Sequence, residues 1–357
     1  MNIFTKVLPV VLISVLPLSA QDQAAHTLKS AETCKECHEQ HYVEWKNSAH
    51  AHFSREENLP LVLTVGGQKS RNEKSDRCRT CHEPLRQFSD YVSDSNIIVG
   101  ERITCDFCHS VQIDHPHDKF KLHPSGAKQG PIENADSPEH SVAYSKEITS
   151  SDFCLVCHHM SRKRHRELRT QFPKELINCQ NCHMPLRNDG SNEHIHSFPG
   201  RYSEEMLQKA VEFNVEVQEA PAGFQVDIKI KNIVNAHSVP PARAYGHIVL
   251  MVNARDVNNR IVWKNWKLDT ENRSPEPLFA SIHADSRGNV PVAIVVKVNE
   301  SKEFRYMVEN KAIRWVEAKL LAYPVTQRRI ASKKIKDPFY TKSRTMAFRR
   351  LYLGSDN

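Results

Sequence analysis

All ten cysteines and five of the twenty histidines of this 357-residue chain fall into one repeated arrangement. It reads Cys34-Lys35-Glu36-Cys37-His38, Cys78-Arg79-Thr80-Cys81-His82, Cys105-Asp106-Phe107-Cys108-His109, Cys154-Leu155-Val156-Cys157-His158 and Cys179-Gln180-Asn181-Cys182-His183. On a helical turn, positions i, i+3 and i+4 share one face. Two thiols and an imidazole are therefore presented together. That geometry suits two thioether bonds to the vinyl groups of a haem and one bond from the histidine to its iron. Zinc also uses Cys-x-x-Cys, but in pairs of pairs, and it has no need of a histidine after each second cysteine. A disulfide framework would suit a secreted, cysteine-rich chain, yet a two-residue spacer is a redox or metal spacing more often than a structural bridge. The pattern predicts five covalent haems c, with His38, His82, His109, His158 and His183 on the irons.

The elements that must carry these turns are short. Motif starts lie 44, 27, 49 and 25 residues apart, and the long–short alternation hints at haem pairs. Residues 21–205 show little sustained hydrophobic periodicity, as expected where haems supply the apolar core. Residues 110–140 hold His115, Pro116, His117, His123, Pro124, Gly126, Gly130 and Pro131, a loop composition. The basic run at 161–169 reads first as a solvated helical face.

Beyond residue 205 the pattern alternates: Val211, Phe213, Val215, Val217, then Phe224, Val226, Ile228, Ile230. Further runs span 248–254, 261–268, 292–298, 304–308 and 313–322, with Asp256-Val257-Asn258-Asn259 as a hairpin turn. Seven short strands of period two predict a β-sandwich. The predicted fold class is α+β: a mainly helical and loop multihaem domain at 21–205, an all-β, sandwich-like domain at 206–327, and a basic C-terminal tail at 328–357.

Residues 1–20 read as a secretory signal, with Lys6, an apolar run from Val7 to Leu18, and Leu18-Ser19-Ala20 before Gln21. The apolar run is short for a bilayer span. An extracytoplasmic, periplasmic location is expected. The formal net charge is +7, unevenly spread. Residues 21–200 hold 22 Lys and Arg against 25 Asp and Glu, whereas 201–357 hold 26 against 17. Haem propionates would deepen the acidity of the first half.

Three stretches resemble multihaem cytochromes of the cytochrome c-554 type: Trp45-Lys46-Asn47-Ser48-Ala49-His50, Gly100-Glu101-Arg102-Ile103-Thr104-Cys105-Asp106-Phe107-Cys108-His109, and Cys179-Gln180-Asn181-Cys182-His183-Met184-Pro185. The passage from His194 to Gly200 is similar to the one that follows the last haem motif there. The Ile230–Pro240 stretch, with Asn235-Ala236-His237-Ser238, resembles the histidine loop of an attached β-domain. The chain departs from the type protein in having five motifs rather than four. The resemblance implies His50, His140, His165, His196 and His237 as distal iron ligands, with His123 and His194 in reserve.

Two function classes follow. An electron-transfer protein needs closely spaced haems and no substrate pocket. An oxidoreductase acting on a small nitrogen or sulfur compound needs one open iron. The Cys-x-x-Cys-Lys variant of pentahaem nitrite reductases is absent, so a carrier is favoured over a catalyst. The expected partners are donor and acceptor redox proteins, not nucleic acid, with the basic tail docking an acidic partner or membrane surface. A haem polymer or other oligomer is compatible with the same motifs.

Overall fold

The computed structural model describes residues 27–52, 81, 83–92, 101, 103–114, 119–158, 178–240, 246–265, 278–279, 294–325, 330–332 and 334–353. Cys78, His82, His165, the 1–20 segment and the 161–169 run lie outside them.

The first part of the chain is built from short helices: α1 (Ala31–Lys35), α2 (Glu39–Lys46), α3 (Ala49–His52), α4 (Cys105–Ser110), α5 (Ser151–Leu155), α6 (Cys179–His183) and α7 (Glu204–Gln208). Isolated helices of this length are marginal in water, so each leans on caps and neighbours. Ser30 caps α1 by accepting the Glu32 amide, Asn178 caps α6 through Gln180, and Ser203 caps α7 through Met206. A small apolar cluster of Leu28, Leu85, Phe88, Phe107, Val111, Ile113, Phe120 and Val156 gathers between them.

Two small pairings punctuate these helices. β1 (Val111–Asp114) pairs antiparallel with β2 (Lys119–Leu122), and β3 (Lys128–Gly130) pairs parallel with β4 (Val142–Tyr144). The 110–140 region, expected as loop, thus carries three strands. Their partners come from across the segment, which local composition does not encode.

The rest of the chain forms two antiparallel sheets. β5 (Val211–Ala220), β6 (Gly223–Asn232) and β10 (Ser301–Val308) make one, in the order β10-β6-β5. The other joins β12 (Arg344–Tyr352), β11 (Trp315–Tyr323), β7 (His247–Arg255) and β8 (Ile261–Lys264) in that order, with β9 (Leu278–Phe279) also on β7. One core is shared between them. Phe213, Val226, Ile228 and Ile230 come from the first sheet, and Leu250, Val252, Ala254, Val316, Ala318, Leu320 and Met346 from the second. This is the face-to-face packing of a sandwich. The turn at 256–259 forms as its residues predict. Asp256 accepts the amides of Asn258 and Arg260, and Asn259 takes φ 62°.

Two expectations need correction. The 292–298 run makes no strand among its described residues; Val296 instead forms an isolated bridge with Val239. The segment from 328, read as a tail, supplies α8 (Pro338–Thr341) and the strand β12. β12 pairs with β11 from Trp315↔Tyr352 to Ala322↔Arg344, with a register shift where Met346 turns into the core. Its many arginines hid the strand because only one residue of β12, Met346, is fully buried. Among the described residues no helix is long and apolar enough to cross a membrane.

Candidate functional site

The four described attachment turns are helical as their spacing demands. α4 and α6 each hold two cysteines and a histidine in a single turn or so. After α1 and α5 the backbone keeps turning. The His38 amide donates to the Cys34 carbonyl and the His158 amide to the Cys154 carbonyl, both at 2.9 Å.

Cysteines of different motifs lie close together, Cys34 beside Cys105, Cys154 beside Cys179 and Cys81 beside Cys157. Side chains reinforce two of these approaches. Glu101 accepts the Ala31 amide at 2.7 Å and the Ser30 hydroxyl, capping α1 from 70 residues away. Buried Asp106 accepts the Lys29 amide at 2.6 Å and the Ser110 hydroxyl, and pairs with Lys128. Gln180 donates to the carbonyls of Ile148 and Ser150, both at 2.9 Å, while Ser151 accepts the Cys179 amide at 3.0 Å. In both clamps the residue after the first cysteine of the later motif reaches the backbone that leads into the earlier one.

The imidazoles come together in pairs. Ring centres lie 6.5 Å apart for His38 and His140, 6.4 Å for His50 and His158, 6.3 Å for His109 and His196, and 6.4 Å for His183 and His237. With a metal–nitrogen bond of about 2 Å and a ring radius of about 1.2 Å, imidazoles on opposite sides of one metal have centres roughly 6.3 Å apart. The four separations fit an iron between each pair.

The ring nitrogens agree. Nδ1 of His109, His183, His196 and His237 lies 2.5, 2.5, 2.7 and 3.0 Å from the carbonyl oxygens of Gln129, Pro199, His194 and Ser238. A carbonyl only accepts, so Nδ1 holds the proton and Nε2 keeps its lone pair. Burial pushes His50 and His196 down to about 3, helped by His158 and His109 respectively, and it also lowers His109 and His237. A neutral imidazole is the form a metal binds.

Two of these histidines, His109 and His237, are backed by built segments. Strand β3 holds His109 through the Gln129 carbonyl, while the Gln129 side chain donates to the Val111 carbonyl at 2.5 Å. His237 sits on the loop after β6. Fully buried Asn232 donates there to the carbonyls of His237 and Val296, both at 3.0 Å, and accepts the Val234 amide at 2.8 Å.

Residues 33–110, which contain the first three motifs, match the family model of cytochrome c554 and c-prime. The likeness over this stretch is to multihaem c-type cytochromes. The fold of the whole chain is similar to that in the crystal structure of a penta-heme cytochrome c552 from Thermochromatium tepidum. That likeness has a TM-score of 0.71 at 20% identity, over 92% of this chain and 100% of the other. No curated protein matches.

Of the sequence-derived site residues, the structure gathers Cys34, Cys37, Cys105, Cys108, Cys154, Cys157, Cys179 and Cys182 into motif turns, with Cys81 beside Cys157. Cys78, His82 and His165 lie outside the described residues. The reserves sit elsewhere: His123 contacts the Ser125 hydroxyl at 2.8 Å and His194 the Met184 carbonyl. Glu44, Glu101, Asp106, Gln129 and Arg187 were missed. Glu101 and Asp106 lie inside a stretch already singled out by resemblance, but nothing local marks Glu44 or Arg187.

Proposed function

We propose that this chain is an extracytoplasmic electron carrier with five covalently attached haems c, each iron bound by two histidines. The assignments are His38 with His140, His158 with His50, His109 with His196 and His183 with His237, while His82 and His165 lie outside the described residues. The observation that carries this reading is the set of four imidazole pairs at 6.3–6.5 Å.

Bound haem supplies a one-electron ferric–ferrous couple, and two imidazoles hold its potential lower than a methionine would. The chain's residues do the rest. The ten cysteines anchor, the Nδ1 hydrogen bonds fix ring orientation, and the apolar cluster around Leu85 and Phe107 excludes water. The closeness of Cys34 to Cys105, Cys154 to Cys179 and Cys81 to Cys157 places attachment edges side by side, which supports transfer from haem to haem.

The oxidoreductase reading needs an iron with a free side. The four described pairs offer none, so it falls to the haem of Cys78, Cys81 and His82. One experiment addresses both readings. Intact mass of the exported protein is expected at the chain from Gln21 plus five haems, and the ferric electron paramagnetic resonance spectrum is expected to be wholly low-spin. A high-spin signal amounting to one haem would turn the assignment toward catalysis, and three haems or fewer would sink the five-motif reading.

A further inference from the structure

We propose that Glu44 and Arg187 are positioning residues that hold His196 in place as the distal ligand of the His109 haem. The proposal rests on the two-histidine reading above and adds residues to which that reading gave no role.

His196 ends a hairpin. Leu186 bridges His194, the Arg187 amide donates to the Glu193 carbonyl at 2.8 Å, and the Ile195 amide donates to the Pro185 carbonyl at 2.9 Å. The hairpin tip, 188–193, is exposed. Left to itself, such a tip would let its outgoing residue wander by more than a coordinate bond tolerates. One group pins it at the ligand. Glu44 Oε2 accepts the backbone amide of His196 at 2.8 Å. The same carboxylate is held by Arg187 in a fork, Nη1 to Oε1 at 2.6 Å and Nη2 to Oε2 at 2.9 Å. Two parallel charge-assisted bonds fix direction as well as distance.

The pair is well hidden, with the Arg187 side chain 6% exposed and that of Glu44 17%. Removing Arg187 leaves the Glu44 carboxylate, little exposed, with the His196 amide alone, and removing Glu44 leaves Arg187 with the more distant Glu193 at 3.4 Å, so either loss costs more than the net worth of the pair. The ring of His196 is fixed too. Its Nδ1 donates to the His194 carbonyl, and His41 packs edge-on at 4.6 Å while its Nε2 lies 3.6 Å from Glu193. Glu44 belongs to α2, downstream of the first motif, and Arg187 follows the fifth. One ion pair therefore sets a ligand of the third motif from the exits of two others.

Carbon monoxide uptake by the reduced protein is the test, because it counts irons with a free side. Uptake is measured in His196→Ala, Glu44→Ala, Arg187→Gln, Arg187→Lys and the double variant Glu44→Ala/His196→Ala, all loaded with haem. His196→Ala is expected to take up one equivalent more than the parent. Glu44→Ala and Arg187→Gln are expected to take up a substantial fraction of that equivalent, with a matching loss of one low-spin ferric signal. Arg187→Lys, which keeps the charge but not the fork, should fall between the parent and Arg187→Gln. The double variant should gain one equivalent and not two, since both changes open the same iron. If His196→Ala gains nothing, the ligand assignment itself fails. If His196→Ala gains its equivalent while Glu44→Ala and Arg187→Gln gain none, the assignment stands and the positioning role is overturned. Where Glu44→Ala incorporates fewer haems, Arg187→Gln decides by the same readout.

Discussion

A histidine that ligates a metal through Nε2 needs its proton on Nδ1 and something to hold that proton in one direction. Backbone carbonyls do this for His109, His183, His196 and His237. For His237 the support runs one residue deeper. Asn232, with no exposed surface, ties the His237 loop to β6 and to Val296. Replacing His237 with alanine is expected to turn one low-spin haem high-spin, read by electron paramagnetic resonance; an unchanged spectrum would refute its role. Asn232→Ala should cost about 1–3 kcal/mol, because the His237 carbonyl and the Val234 amide lose their partner, while the Val296 carbonyl keeps only the Val239 amide. Denaturant unfolding measures that cost. The His183 haem should also become partly high-spin, which a purely scaffolding asparagine would not cause.

Among the elements, β12 changes what the basic C-terminal segment means. It adds a strand at the end of the larger sheet, and Met346, 1% exposed, turns from its bulge into the shared core. Met346→Ala is expected to destabilise by about 2–5 kcal/mol, the usual range for emptying a buried site of that size. The thermal midpoint of the β-domain would fall accordingly. A shift near zero would mean that the strand is only laid against the sheet. α8 adds a second attachment. Asp337 caps it through the Phe339 amide at 2.9 Å, and His52, stacked on Phe339 at 3.8 Å, meets Asp337 at 3.3 Å. The C-terminal segment is thereby joined to α3, the helix that carries His50. Truncation before β12 would remove core along with charge, so it is a poor probe of electrostatic docking.

For the molecule as a whole, charge is segregated. The first half is slightly acidic before any propionate is counted, while residues 328–350 hold nine basic residues and one acid. Exposed charges steer encounters over about 8 Å at physiological salt. Docking of an acidic redox partner, expected of this basic segment, would then fall to β12 and the residues just before it. Arg350 is already engaged with Glu317, but Lys342 and Arg349 are exposed. Charge reversal at both, Lys342→Glu with Arg349→Glu, is expected to slow electron exchange with an acidic partner several-fold at low ionic strength. The rate should also become less sensitive to salt. Stopped-flow measurement across ionic strengths checks this, and superimposable salt profiles with haem content intact would remove any steering role.

Haem attachment was legible in the sequence because it is local: two thiols and an imidazole lie within five residues, and a helical turn alone brings them to one face. The two-sheet architecture was legible for a similar reason, since alternation in β5 and β6 and the apolar run of β7 report burial directly. Resemblance named candidate partners for the irons, but which histidine stands opposite which motif was decided by the fold. His38 meets His140 and His183 meets His237 across stretches of chain whose path no local pattern encodes. The same holds for β12, whose exposed arginines mask a strand that exists only because β11 offers an edge. It holds most strongly for Glu44 and Arg187, 143 residues apart. Each reads alone as an ordinary surface charge, and only their burial against each other and against the His196 amide gives them a function.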